Sequence, residues 1–294
     1  NKDSNRLLAT IYDKNSSIST SFLTQINQLK RLAGGGYDGI GGVNWTTDNR
    51  IVFVSIESGN PDIWIMNANG TNRRQLTFEK SSDEYPVVSK DGQNIVFVSS
   101  RTGTPHIWRM NFDGGDLRQL TYKGGESFPQ ITPDGKFVIF SSQNDRRRTL
   151  WKVPIEGGEP MQLTEKLSHW SAVSPDGKMI ACLTRGDNHT DPMMLAVISA
   201  ETGKFLKIFD FSGDASPSLT PTIRWTPDGK ALAYVDTVDG ISNLYLQQLS
   251  GGAPKKLTDF SADRIFSFDF SSDGKSVVLA RGVVRNNLVL IENF

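Results

Sequence analysis

One short phrase recurs six times along this chain and dictates a repeat architecture. It reads Thr47-Asp48-Asn49-Arg50, Lys90-Asp91-Gly92-Gln93, Pro133-Asp134-Gly135-Lys136, Pro175-Asp176-Gly177-Lys178, Pro227-Asp228-Gly229-Lys230 and Ser272-Asp273-Gly274-Lys275. Its aspartates stand 43, 43, 42, 52 and 45 residues apart. A period of about 40–45 residues with four strand-like runs per repeat is the signature of a β-propeller. Each repeat needs its neighbours to bury its faces, so residues 1–294 read as one all-β domain of four-stranded antiparallel blades.

Residues 84–121 show the unit. Tyr85-Pro86-Val87-Val88 is a short inner strand, here called a. In the next turn Asp accepts from backbone N–H groups, Gly takes the strained position and, in other repeats, Pro fixes φ. Strand b, Asn94-Ile95-Val96-Phe97-Val98-Ser99, is apolar on both faces, as a strand between neighbouring blades must be. Strand c is His106-Ile107-Trp108-Arg109-Met110, and strand d, Leu117-Arg118-Gln119-Leu120-Thr121, is polar enough for an outer edge. Tryptophan recurs at one position of strand c (Trp64, Trp108, Trp151), which points to packing rather than to sugar stacking.

These phrases resemble the TolB-like, WD40-like PD40 repeats of bacterial β-propellers. The resemblance rests on Tyr/Phe-Pro, Ser/Thr-Pro-Asp-Gly-Lys, Ile-Val-Phe-Val-Ser, Ile-Trp-x-Met, Asn-x-x-Gly and Arg-Gln-Leu-Thr, and it covers nearly the whole chain. The chain departs from it at Thr47-Asp48-Asn49 and in residues 169–210, which lack the strand-c aromatic and the Gln-Leu-Thr. The resemblance implies a non-catalytic interaction or sensor module. Its setting would be a periplasmic TolB-type adaptor or the extracytoplasmic part of a membrane-anchored signalling protein.

Strand counting predicts seven blades, with six as the alternative. Arg6–Tyr12, Ser21–Ile26 and Leu29–Leu32 read as b, c and d, and the chain closes with a near Phe266–Phe270, b at Val277–Ala280 and c at Leu288–Ile291. That makes residues 1–33 and 265–294 remnants at the ring closure, with five complete blades between them. A start at Asn1 inside a repeat suggests a mature protein or a module cut from a longer one.

Charge is balanced at 32 basic and 32 acidic side chains, which argues against nucleic acid as a partner. No apolar run of 18 residues exists to span a membrane. The single cysteine, Cys182, lies in an apolar run and reads as a core thiol. A monomer is expected.

In a propeller the d–a and b–c loops share one face around the channel mouth, and the a–b turns share the other. The Asp-Gly face is uniform and the loop face is not. Seven residues before each turn aspartate stand Gly41, Glu84, Ser127, His169, Pro221 and Phe266, six chemistries in one slot. The extra length of the 52-residue spacing also falls mostly on that face, near Arg185–Pro192 and Phe211–Thr220. Binding candidates on it are Glu84, Arg101, Glu126, Arg146, Arg147, Arg148, His169, Asp263 and Arg264. A surface of mixed charge suits a protein or peptide partner, with a small ligand or glycan as the other option.

Catalytic signals are weak. The three histidines, His106, His169 and His189, lack metal-site spacing, and no Gly-x-Ser-x-Gly elbow or phosphate loop stands in its required context. No cofactor or metal is expected. The competing reading is a propeller lyase or glycosidase using His169, Glu84, Glu126 and Asp263. It requires two carboxylates about 5–10 Å apart in a walled pocket.

Overall fold

The computed structural model describes residues 6–33, 36–144, 147–186, 188, 190–211 and 222–292. Its strands form six four-stranded antiparallel sheets. The chain begins with β1 (Arg6–Phe22) and β2 (Lys30–Ala33). The first blade is β3 (Val43–Trp45), β4 (Arg50–Ser55), β5 (Asp62–Asn67) and β6 (Arg74–Gln75). The second is β7 (Asp83–Val88), β8 (Asn94–Ser99), β9 (His106–Asn111) and β10 (Arg118–Gln119). The third is β11 (Ser127–Ile131), β12 (Phe137–Asn144), β13 (Arg147–Pro154) and β14 (Met161–Gln162). The fourth is β15 (Ser168–Val173), β16 (Met179–Arg185), β17 (Met193–Ser199) and β18 (Phe205–Asp210). The fifth is β19 (Ile223–Trp225), β20 (Ala231–Val238), β21 (Ile241–Gln248) and β22 (Lys255–Lys256). The last joins both ends of the chain, β23 (Arg264–Phe270) and β24 (Ser276–Glu292) beside β1 and β2, in the order β2-β1-β24-β23.

The ring therefore has six blades, not the seven that strand counting predicts. The error has one cause. Arg6–Tyr12 and Ser21–Ile26 were expected as two strands, and so were Val277–Ala280 and Leu288–Ile291. Arg6–Tyr12 lies in β1 together with only Ser21 and Phe22 of the second run, whose Leu23–Gln25 form a 3-10 turn, and both later runs lie in β24. β1 and β24 run antiparallel through 17 residue pairs from Arg6↔Glu292 to Phe22↔Ser276. The polar run Asp13–Ser17 and the segment around Gly282 look like turns but lie inside this ladder. At Gly282 the two backbones approach so closely that a Cβ would overlap the Asn15 carbonyl oxygen.

Strand b of each blade is the buried one. Ile51, Val52, Phe53 and Val54 of β4 are all inaccessible, and Ile95, Val96 and Phe97 of β8 repeat this. Their two faces serve two interfaces. Val52, Ile63 and Ile65 of one blade pack with Ile95, Phe97 and Met110 of the next.

The recurring turn is a closed hydrogen-bond unit. Its Ser/Thr hydroxyl donates to the turn aspartate at 2.5–2.6 Å in all six copies. That hydroxyl also accepts the first N–H of strand b at 2.8–3.0 Å. Glycine follows with φ of 67–73° in five copies, and Asn49 takes the same left-handed conformation (φ 64°) in the sixth. The Gln-Leu-Thr phrase has an equally local cause. Thr77, Thr121, Thr164 and Thr258 accept the N–H of Ile63, Ile107, Leu150 and Leu244 through Oγ1 at 2.9–3.0 Å. The fourth blade lacks the phrase because β18 is six residues long and replaces those bonds with a backbone ladder to β17.

Hydroxyl bonds hold five turn aspartates below the ordinary carboxylate range, and the Arg50 guanidinium does so at Asp48. Groups depressed in the folded state stabilise it above their unfolded value of about 3.9, and that contribution is lost as pH falls through the folded value. Melting temperature is expected to drop below about pH 4, and more shallowly in Asp134→Asn/Asp176→Asn, as thermal melts across pH 2–6 would show. Gly282→Ala is expected to cost about 1–3 kcal/mol in chemical denaturation, the scale of an overpacked site.

Candidate functional site at the channel mouth

Three successive inner strands carry the same irregularity. The register of β7, β11 and β15 slips between Glu84/Val87, Ser127/Gln130 and His169/Ala172. Each slip puts an aromatic residue in left-handed backbone: Tyr85 (φ 56°), Phe128 (φ 54°) and Trp170 (φ 55°). Bulky side chains rarely adopt this conformation, and a bulge re-aims the side chain it carries. Here the rings meet one another. Tyr85 and Phe128 lie 4.7 Å apart, and Phe128 and Trp170 lie 5.8 Å apart. Together they wall a small apolar cavity of about 60 Å³ in the channel. In the other blades this slot holds Gly42, Thr222 and Ser267, so the aromatic wall is one-sided. Gly42 is required there, since a Cβ would lie 3.3 Å from the Tyr85 Cα.

Around this wall stand three of the expected residues. Glu84 is half-buried beside Gly41, and burial raises its carboxyl despite the nearby Lys14. Burial and Glu84 also raise the Tyr37 hydroxyl. Arg148 donates from Nη1 to the Ser127 hydroxyl at 3.1 Å. His169 stacks on Trp170 with ring centres 3.6 Å apart, and its Nδ1 has no hydrogen-bond partner among the described residues. Burial, Arg148 and Arg185 push its pKa down to about 3. The mouth is thus polarised, with a carboxylate at the second blade and guanidinium groups at the third and fourth.

Other expected residues are engaged within the scaffold. Arg101 binds Asp83 (2.8 Å) and Ser99 (2.8 Å) and lies over Trp108 at 4.8 Å. Arg73 over Trp64 and Lys123 over Trp151 repeat the arrangement, so these tryptophans serve packing between cation and blade. Glu126 is buried. It accepts from His106 Nδ1 at 2.9 Å and from the N–H groups of Lys123 and Gly124, which fastens its loop to β9. Arg147 is exposed at the start of β13, and Arg146 lies outside the described residues, as do His189 and residues 212–221 of the long loop. Asp263 (φ 66°) ends the loop into β23 and Arg264 opens that strand, and the Asp263 carboxylate stands 4.0 Å from Arg281. Cys182 is buried, and burial pushes its thiol up to about 12. Among the described residues no cluster of three or more His, Cys, Asp or Glu could hold a metal.

Sequence reasoning took Tyr85-Pro86 and Phe128-Pro129 as scaffold. The available signal was an aromatic residue beside the variable slot in three consecutive blades but not in the rest. It also passed over the channel's other end, a funnel of about 290 Å³ opening on the Asp-Gly face. Four residues before each turn aspartate the wall varies again, as Asn44, Val87, Gln130, Ala172, Arg224 and Asp269. Asp269 there accepts from Asn44 Nδ2 (2.7 Å) and the Trp45 N–H (2.8 Å) and pairs with Arg224 at 3.3 Å, which ties the fifth, sixth and first blades together.

Comparison with known proteins agrees with the propeller fold. A family model described as the TolB beta propeller domain (PD40) matches residues 14–218. The Tol-Pal system protein TolB of Xanthomonas campestris pv. campestris (strain B100) is 46% identical over 46 residues, which is 16% of this chain and 10% of that protein. TolB from Acinetobacter baumannii superimposes with a TM-score of 0.66 at 20% identity, covering 95% of this chain and 67% of that one. A putative TolB from Agrobacterium tumefaciens gives 0.73 at 17% identity, covering 91% and 98%. At these identities the structural likenesses establish the fold.

His169 supplies a direct check of the mouth's electrostatics. An imidazole lowered to about 3 stays neutral from pH 8 down to about pH 4. Its stabilising effect is present above the unfolded value of about 6.5 and declines as pH falls below that value. In NMR titrations its ring protons are expected to stay flat between pH 5 and 8, and Arg148→Met is expected to raise its titration point.

Proposed function

Since the chain belongs to the TolB β-propeller (PD40) family, we propose that it is a non-catalytic interaction module that docks a protein or peptide segment at the loop-face channel mouth. One observation carries the proposal. Three consecutive blades accept left-handed strain to turn Tyr85, Phe128 and Trp170 onto one small apolar cavity. Strain of this kind costs of the order of 1–3 kcal/mol per residue and collects at functional sites. Half-buried aromatic rings flanked by Arg148 and Glu84 have the composition of an interface anchor with a polar rim. A pre-formed ring loses little conformational entropy when a partner docks.

The family supports a setting. We place the module in a bacterial TolB-type or membrane-anchored signalling protein, facing an extracytoplasmic compartment. Among the described residues no helix is long and apolar enough to cross a membrane. The lyase or glycosidase reading needs Glu84, Glu126, Asp263 and His169 to converge. Glu126 instead spends its carboxylate on His106 and two backbone N–H groups.

The test is a selection of random twelve-residue peptides displayed on phage against the immobilised propeller. Recovered peptides are expected to bind Phe128→Leu and Arg148→Ala at least about tenfold more weakly, a loss of about 1.4 kcal/mol. Leu206→Ser, on the outer strand β18, should leave binding unchanged, and all three variants should melt within a few degrees of the parent. Peptides that bind the mouth variants as well as the parent would remove the site.

A further inference from the structure

The cavity behind the aromatic wall is apolar, yet two of its lining residues carry buried polar atoms without a partner. Ser171 is 4% exposed and lines the cavity. Its Oγ has no hydrogen-bond partner among the described residues, and neither has the Nε1 of Trp170, which lines the same cavity. Buried polar atoms in folded proteins are nearly all satisfied, so two orphans on one cavity wall call for a partner that enters it. Gln130, also on the wall, donates from Nε2 to the Pro129 carbonyl at 2.8 Å, and this arrangement leaves its side-chain oxygen as an acceptor.

The three groups specify a chemistry. An indole N–H only donates, so the entering group must carry an acceptor. The Gln130 oxygen only accepts, so the group must also carry a donor, and the Ser171 hydroxyl can serve in either sense. Size narrows the choice further. One water needs about 10–15 Å³ measured this way, so about 60 Å³ holds four to six non-hydrogen atoms. An indole ring, with nine, exceeds that space, and a phenyl ring would fill it while leaving the polar atoms without a partner. A primary carboxamide fits it, presents acceptor and donor on one planar group, and can lie flat against the aromatic faces.

We infer that the mouth selects partners that insert a primary carboxamide, the side chain of glutamine or asparagine, past Tyr85, Phe128 and Trp170. The oxygen accepts from Trp170 Nε1, and the amide N–H groups donate to Ser171 Oγ and to the Gln130 oxygen. This deepens the docking reading and rests on it. Specificity then resides in the unpaired polar atoms, because an apolar side chain of equal volume leaves both unsatisfied. Arg148 and Glu84 lie outside the cavity and would orient the flanking backbone and charges.

The probes are N-acetyl-glutamine methylamide and its near-isosteric counterpart N-acetyl-methionine methylamide. Each is titrated to about 50 mM into 15N-labelled protein while the Trp170 indole N–H signal is followed. The glutamine probe is expected to move that signal and to bind at least about fivefold better than the methionine probe, and Ser171→Ala should erase most of the difference. Equal or tighter binding of the methionine probe would overturn the carboxamide assignment while leaving the mouth as a docking site. A Trp170 signal that neither probe moves would overturn it too, leaving the cavity to solvent. The displayed peptides judge the docking reading separately, because they engage the rim residues Phe128 and Arg148 whatever enters the cavity.

Discussion

The whole ring hangs on one antiparallel pairing, that of β1 with β24. The other five blades are each continuous in sequence, so each could form its own hairpins locally. The sixth cannot form until residues at opposite ends of the chain meet. A blade buries its two faces only when it has a neighbour on each side, so an unclosed ring would expose the apolar faces that strand b supplies. The 17-pair ladder thus converts local repeats into one cooperative body. Gly282 is a close point in it, a place where the sequence yields a side chain to let two backbones pass.

Much of this was legible, and the reasons are local. The turn phrase could be read because Ser/Thr, Asp and Gly bond within five residues of one another, so any sequence that keeps the bonds keeps the phrase. Strand b could be read because burial on two faces leaves a continuous apolar run. The blade count failed where no local bond marks the outcome. Asp13–Ser17 is as polar as a loop, and only its partner strand makes it extended. Arg101 and Glu126 were legible as loop-face charges. Their commitments to Asp83 and His106 depend on side chains 18 and 20 residues away, which spacing does not reveal.

The channel has two unlike ends, and the difference explains how a uniform scaffold acquires individuality. Toward the Asp-Gly face the wall is tied by Asp269, Asn44 and Arg224, polar groups that spend themselves on linking blades. Toward the loop face the bulges free the aromatic rings from the regular alternation of a strand, which would otherwise send successive side chains to opposite faces. The outer rim is guarded in a third way. β18, at six residues the longest outer strand, is interrupted by a bulge opposite Val197/Ile198 and carries Lys207, both of which discourage edge-to-edge pairing. Variation is thereby confined to the one region where strain and unpaired groups can be turned to recognition.

The geometry of the closing ladder also sets how the ring responds to force. Arg6 and Glu292 face each other at one end of it, while Phe22 and Ser276 face each other at the other. Tension applied between Arg6 and Glu292 loads the rungs in sequence and peels them one at a time. Tension between Arg6 and a point deep in another blade would load many rungs at once, in shear. The same pairing therefore resists shear across the ring better than a pull at its tip, from which the propeller would open like a zip from the loop face inward.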